Sequence, residues 1–150
     1  MKTSAKVIIG VGIAIGLLVI IAVIGNNILK SPLDVKFFEK SLSESQVKEG
    51  KTTVLTVVAR NNEDKNTVSN VSAKLSVVDG ANADESLKFV ESTKLADILS
   101  PGQPSETNHI QIQALKVSGT ETKFKMKVEL FVNDVKTDEY LFDITIVPNI

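Results

Sequence analysis

A continuous apolar run near the start of the sequence constrains this chain more than any other feature. Val7 to Gly25 spans 19 residues without a charge, and 13 of them are Val, Ile or Leu. As a helix, the run measures about 28 Å, close to the roughly 30 Å hydrocarbon thickness of a bilayer. It therefore predicts one transmembrane α-helix over residues 7–25, with the lipid bilayer as its surroundings.

The residues that flank the run predict its orientation. Lys2 and Lys6 precede it, so residues 1–6 are expected in the cytoplasm and the long remainder outside the cell membrane. Residues 26–32 are interpreted as a linker, because Pro32 cannot extend the hydrogen-bond ladder of a helix. A cleaved signal peptide is the alternative, although its apolar core is usually shorter, at about 7 to 15 residues.

Two glycines give the predicted helix a face suited to packing. Gly12 and Gly16 have the GxxxG spacing, which lets two helix backbones approach each other closely in a membrane. A helix-mediated oligomer is therefore one expected form of association, and Gly12 and Gly16 are the candidate helix-packing residues.

The composition of residues 33–150 limits the chemistry of the predicted extracytoplasmic domain. It carries 14 basic and 18 acidic side chains, a net charge of −4, and the chain contains no cysteine. A mildly acidic domain does not favour nucleic acid as a partner. Without cysteine there is no disulfide framework and no thiolate metal site. We therefore expect one domain that depends on its apolar core for stability.

Alternating apolar and polar residues predict strands throughout this domain. Such alternation places every second side chain on the same face of a sheet. Seven strands are predicted: Leu33–Ser41, Lys51–Arg60, Val68–Val78, Leu87–Val90, Thr107–Leu115, Lys123–Val132 and Glu139–Val147. Residues 94–99 fit either a helical turn or a strand end, whereas 43–50 and 133–138 fit polar loops. The fold class is all-β, an immunoglobulin-like antiparallel β-sandwich of about seven strands behind one transmembrane helix.

The order of strands and turns also resembles that of a known family. A strand ending at Asn61, a strand introduced by Asn70 and Val71, and a turn with Leu99, Pro101 and Gly102 occur in that order. This pattern resembles the cell-adhesion-related (CARDB-type) β-sandwich domains of prokaryotic surface proteins. The resemblance implies a fold and a surface location. The chain is also similar to the water-stress β-sandwich of late-embryogenesis proteins, but the Pro-Gly turn favours the CARDB type.

No constellation in the sequence predicts catalysis. His109 is the only histidine and is expected on the exposed face of its strand. Nucleophile elbows, phosphate-binding glycine loops and HExxH spacings are missing. The acidic turns at 61–64 and 79–85 carry oxygen ligands that calcium prefers, but neither turn has the spacing of an EF-hand loop, and residues typical of solvated turns are the favoured explanation. We expect no catalytic residue, no cofactor and no metal ligand.

Strand direction and one short motif supply the remaining expectations. If strands alternate up and down, residues 41–50, 79–86 and 116–121 lie together with Ile150 at the end away from the membrane, and these are the candidate contact loops. Asn70-Val71-Ser72 is a glycosylation sequon.

The expected function is a non-enzymatic, membrane-anchored cell-surface module that binds another protein or an envelope layer. An accessory or stator-like subunit of a larger membrane or appendage complex is the alternative.

Overall fold

The computed structural model describes residues 33–149, which form nine strands and one helical turn. The strands are β1 (Val35–Leu42), β2 (Gln46–Lys48), β3 (Thr52–Asn61), β4 (Val68–Asp79), β5 (Leu87–Phe89), β6 (Ser92–Leu99), β7 (Asn108–Ala114), β8 (Thr122–Val132) and β9 (Val135–Val147), and α1 is Ala83–Ser86. Within residues 33–149, no helix has the length and hydropathy needed to cross a bilayer. The predicted transmembrane helix, Gly12, Gly16, the linker and Ile150 lie outside the described residues.

Two sheets form a β-sandwich. The five-stranded sheet has the order β2-β9-β8-β4-β6, and the four-stranded sheet has the order β1-β3-β7-β5. All neighbours are antiparallel except β2 and β9, which run parallel. The structure is thus all-β with two sheets, as predicted.

Strand β8 is at the centre of the core. Phe124, Met126, Val128, Leu130 and Val132 occupy every second position and are each no more than 2% exposed. The matching inward positions of β4 and β9 are filled by Val71, Ala73 and Leu75 and by Phe142, Ile144 and Ile146, which are also buried. These residues are inward because side chains alternate across a strand. The inward faces predicted for these strands are confirmed.

Two segments differ from the sequence-based prediction. Residues 43–50, predicted as a polar turn, contain β2, in which Val47 is buried between the exposed Gln46 and Lys48. One apolar residue in three is too short a pattern to identify a strand. Residues 133–138, predicted as a long loop, are a two-residue turn at Asn133 and Asp134 followed directly by β9.

The tight turn has a clear backbone explanation. Asn133 and Asp134 both have positive φ, at 49° and 67°, as a type I′ turn requires, and Asn and Asp tolerate this region better than most residues. Residues 94–99, for which a helical turn and a strand end were both open, belong to β6. The described part of the chain therefore has nine strands instead of about seven, and one of its strand pairs is parallel.

Strand pairing defines two ends of the sandwich. At the basal end, Val35 of β1 pairs with Asn61 of β3, and Val71 of β4 pairs with Val132 of β8. At the apical end, the opposite strand ends meet: Thr52 pairs with Gln113, Leu87 with Ala114, and Ile146 with Thr122. The chain enters β1 at the basal end.

A buried asparagine fixes the basal end. The Asn61 side chain is fully buried, and its Nδ2 donates to the carbonyl oxygens of Asn66 (2.8 Å) and Leu99 (3.0 Å). Its Oδ1 accepts from the backbone N–H of Glu63 at 2.9 Å. Because Leu99 ends β6, these bonds join the turn after β3 to the other sheet.

Replacing Asn61 by alanine is expected to destabilise the domain by about 2–4 kcal/mol, because two carbonyls and one N–H lose buried hydrogen bonds. Denaturant unfolding of the purified chain measures this. Asn62→Ala is the matched control: Asn62 is exposed, so its replacement should change the free energy of unfolding by no more than about 0.5 kcal/mol. Equal effects of the two substitutions would contradict the assigned role of Asn61.

Candidate functional site

The predicted contact loops meet at the apical end. The apical surface is defined here as residues 43–51, 80–86, 115–121 and 148–149. Backbone bonds connect its segments: Gly50 N donates to Ala114 O at 2.8 Å, Glu49 N to Val147 O at 3.1 Å, and Leu115 N to Ser86 O at 2.7 Å. Three connections from two sheets thus form one continuous surface.

Glu49 is the side chain that joins most of these segments. Its Oε2 accepts from Val117 N at 2.7 Å, and its Oε1 accepts from Asn149 N at 3.1 Å. Asn149 Nδ2 also donates to the backbone oxygen of Glu49 at 3.2 Å. The bond from Val117, then that from Asn149, holds the pKa of Glu49 below its ordinary value, with a smaller contribution from the charge of Lys116 and partial opposition from burial.

A recess separates the α1 segment from the loop after β7. Its volume is about 430 Å³, and its lining includes Ala81, Asn82, Glu85, Lys116, Val117 and Ser118. On one side, Ser86 is buried and its Oγ donates to Lys116 O at 3.0 Å. Glu85, Lys116 and Ser118 are exposed at the rim. This apical recess therefore has one acidic and one basic group at its rim.

Gly80 allows the loop before α1 to pack closely against the core. Its φ is +143°, and a Cβ built on it would lie 2.9 Å from Phe124 Cε1 and closer still to Phe124 Cδ1. Such distances do not occur in relaxed structures, so only glycine allows the backbone to lie against the ring. The loop before α1 is thereby positioned by the central strand β8.

The two acidic turns lie at opposite ends of the sandwich. Asp79 is paired with Lys125 near the apical end, whereas Glu63 follows Asn61 at the basal end. Glu63 accepts from Asp34 N at 2.6 Å and from Asn66 Nδ2 at 2.8 Å, and these bonds lower its pKa. Among residues 33–149, no group of three or more His, Asp or Glu side chains has the arrangement of a metal site.

His109 lies on the exposed side of β7, as predicted. Its Nδ1 is 3.0 Å from Thr56 Oγ1 on the neighbouring strand β3. A cross-strand hydrogen bond to a hydroxyl group is a structural role on the outer face of the sheet. Among the described residues, no carboxylate is bonded to the ring.

Asn70 lies at the basal end of β4 and is exposed. Its φ is +53°, a left-handed conformation that Asn adopts more readily than most residues. The backbone oxygen of Asn70 accepts from Asn133 N at 3.1 Å. The structure thus places the sequon on the surface, beside the type I′ turn.

Sequence reasoning identified the apical loops but not the residue that joins them. Glu49 belongs to the polar stretch Val47-Lys48-Glu49-Gly50-Lys51, in which nothing distinguishes a structural carboxylate from a solvated one. Its partners are 68 and 100 positions away in the sequence. No local pattern carries that information.

Gly80→Ala is expected to destabilise the domain more than Gly119→Ala. Both glycines have positive φ, but a Cβ at Gly119 would meet nothing within 4 Å. The difference therefore combines the clash with Phe124, at about 1–3 kcal/mol, with the greater backbone strain of an alanine at φ +143° than at φ +86°. Equal losses in denaturant unfolding would show that the ring does not confine the loop.

The stability that Glu49 contributes is expected to depend on pH. Because its folded pKa is lowered, the contribution is complete above about pH 4.3, the ordinary glutamate value, and is lost as pH falls through the folded pKa. Glu49→Gln should therefore lower the melting temperature at pH 7 and have a smaller effect at pH 3. Thermal unfolding of both proteins at the two pH values measures this.

The exposed Glu44 lies close by in the sequence, and its side chain accepts no hydrogen bond among the described residues. Glu44→Gln is therefore the matched control and should leave the melting temperature unchanged. A Glu49→Gln effect of the same size at pH 7 and pH 3 would contradict the role given to the charged carboxylate.

Comparisons with known proteins support the fold alone. No family model matches the chain, and no curated protein sequence does so. The native form of E. coli alpha-2-macroglobulin matches 87% of this chain with 19% identity and a TM-score of 0.52, and this chain spans 7% of that much longer one. The PapD-like domain 7 of human CEP192 matches 84% of this chain with 13% identity and a TM-score of 0.43, and this chain spans 93% of that domain. The periplasmic chaperone SfaE matches 74% of this chain with 14% identity and a TM-score of 0.39, and this chain spans 56% of that protein. The likeness to alpha-2-macroglobulin concerns the fold alone.

Proposed function

We propose that this protein is a non-enzymatic, membrane-anchored cell-surface module that binds another protein or an envelope layer through its apical surface. The observation that carries the proposal is the convergence of three connections and residues 148–149 at one end of the sandwich. Loops held on a rigid β scaffold are the usual location of binding residues. The apical recess between Glu85 and Lys116 gives that end a shape and two opposite charges with which to select a partner.

The N-terminal sequence supports a location of the domain outside the cell membrane. The apolar run from Val7 to Gly25, preceded by Lys2 and Lys6, is proposed as an uncleaved anchor with the domain outside the cell membrane. Strand β1 begins at the basal end, which is the opposite end of the sandwich from the apical surface. The resemblance to CARDB-type adhesion domains, carried by Asn61, Asn70 and the Leu99 to Gly102 turn, agrees with a surface role.

A second function has one observation in its favour. Gly12 and Gly16 have a spacing that permits close helix packing. An accessory or stator-like subunit would use that face to associate with other integral subunits, and its domain would then have a structural role in a larger membrane or appendage complex.

Charge reversal at the apical recess tests the first function. Glu85→Lys with Lys116→Glu inverts both rim charges and keeps the net charge. The full-length variant is expressed in its native membrane and extracted in mild detergent. We expect the amount of partner that co-purifies with it to fall at least about tenfold, because rim and recess charges set register and exclude wrong partners. Quantitative mass spectrometry of the co-purified proteins measures the loss.

The basal end supplies a matched control. Asp64→Lys with Lys65→Glu inverts one acidic and one basic side chain, both exposed, and should retain the partner. Equal retention by the two double variants would contradict the apical proposal. Partner loss in a Gly12→Leu, Gly16→Leu variant, with retention in the apical variant, would instead favour the accessory subunit.

A further inference from the structure

The one sequon of the chain lies at a structurally unusual position. Asn70-Val71-Ser72 is the sole Asn-x-Ser/Thr motif in the 150 residues. Asn70 is exposed, whereas Val71 is fully buried. The left-handed φ of +53° at Asn70 interrupts the regular alternation of β4, so that the side chain of Asn70 is at the surface although it lies within a strand.

The backbone conformation explains the asparagine but not the serine. Glycine would serve the left-handed position equally well, and neither residue requires a hydroxyl two positions later. Ser72 is half-exposed, and its Oγ forms no hydrogen bond with any other residue of the described range. The amide of Asn70 is held only by a long 3.3 Å bond from its Nδ2 to Asn133 Oδ1. Both sequon side chains are therefore accessible.

A shallow polar groove adjoins the amide. Its volume is about 330 Å³, and it is lined by Asn70, Ser72, Ser92, Lys94 and Asp134. Two hydroxyls, an ammonium and a carboxylate supply donors and acceptors of the kind that hold sugar hydroxyl groups. Lys94 bonds Asp97 at 2.7 Å, which leaves further N–H donors of its ammonium available.

We propose that Asn70 is N-glycosylated and that the first sugar lies in this groove. In the transfer, Asn70 Nδ2 forms a bond to the anomeric carbon of a lipid-linked glycan. The bond from that carbon to the phosphate oxygen breaks, the lipid phosphate leaves with the electron pair, and the amide proton passes to a base of the transferase. This inference rests on the proposed outward location of the domain.

A glycan at Asn70 would also determine which surfaces of the domain stay open to a partner. Asn70 lies between the pairs Ser69–Ile98 and Val71–Ala96, next to β6. Strand β6 is the free edge of the five-stranded sheet, and Ile98 is 62% exposed on it. Free edges attract strand pairing. A glycan at Asn70 would cover this edge and leave the apical surface open.

Glycopeptide mass spectrometry of the full-length protein from its native membranes tests the proposal. Trypsin releases residues 66–74, between Lys65 and Lys74, and fragmentation distinguishes a glycan on Asn70 from one on Thr67 or Ser69. We expect a glycan on Asn70 in the wild type and in Ser72→Thr, and its complete loss in Ser72→Ala. Both variants keep Asn70 and its backbone conformation, so a folding defect at Asn70 does not enter the comparison.

The contradicting results separate the two proposals. An unmodified peptide from protein whose domain external protease digests on intact cells would overturn the glycosylation and leave the surface module standing. An unmodified peptide from a domain that protease cannot reach would overturn both. A glycan that persists in Ser72→Ala, or that lies on Thr67 or Ser69, would overturn the assignment to the sequon.

Discussion

The burial of the inward side chains of strand β8 between the two sheets is the interaction on which the rest of the domain depends. Five inward side chains from Phe124 to Val132 alternate without a break and are almost completely buried. The strand has neighbours on both sides, β9 and β4. Its first inward residue, Phe124, also lies against Gly80 and so fixes the position of the apical loop. The same side chain therefore stabilises the core and shapes the proposed binding surface.

One polar side chain joins the segments at each end of the sandwich, and the charge of each side chain matches how deeply it is buried. At the basal end, Asn61 is fully buried and neutral, so its amide satisfies carbonyls without the cost of burying a charge. At the apical end, Glu49 is only partly covered and binds two backbone N–H groups as a carboxylate. The contribution of Asn61 is thus independent of pH, whereas the bonds of Glu49 weaken in acid.

The sequence predicted the features that depend on local periodicity and missed those that depend on distant partners. Alternation over five or more positions identified β3, β4, β7 and β8 with their inward faces, because sheet geometry has a period of two. It could not identify β2, which is a strand only because residues 46–48 pair with the distant residues 145–147. It also assigned Lys136 and Asp138 to a loop, although these charged residues lie in β9 beyond a two-residue turn. Glu49 was missed for the same reason as β2.

An anchored module whose apical surface meets a partner can be tested most directly by site-specific photo-crosslinking in intact cells. A photoreactive side chain replaces Ser118 at the apical recess, Asp64 at the basal end, or Lys127 on the outer face of the five-stranded sheet, one position in each experiment. We expect one discrete crosslinked species from position 118 and none from the other two. Crosslinks from position 64 or 127, with none from position 118, would contradict an apical binding surface.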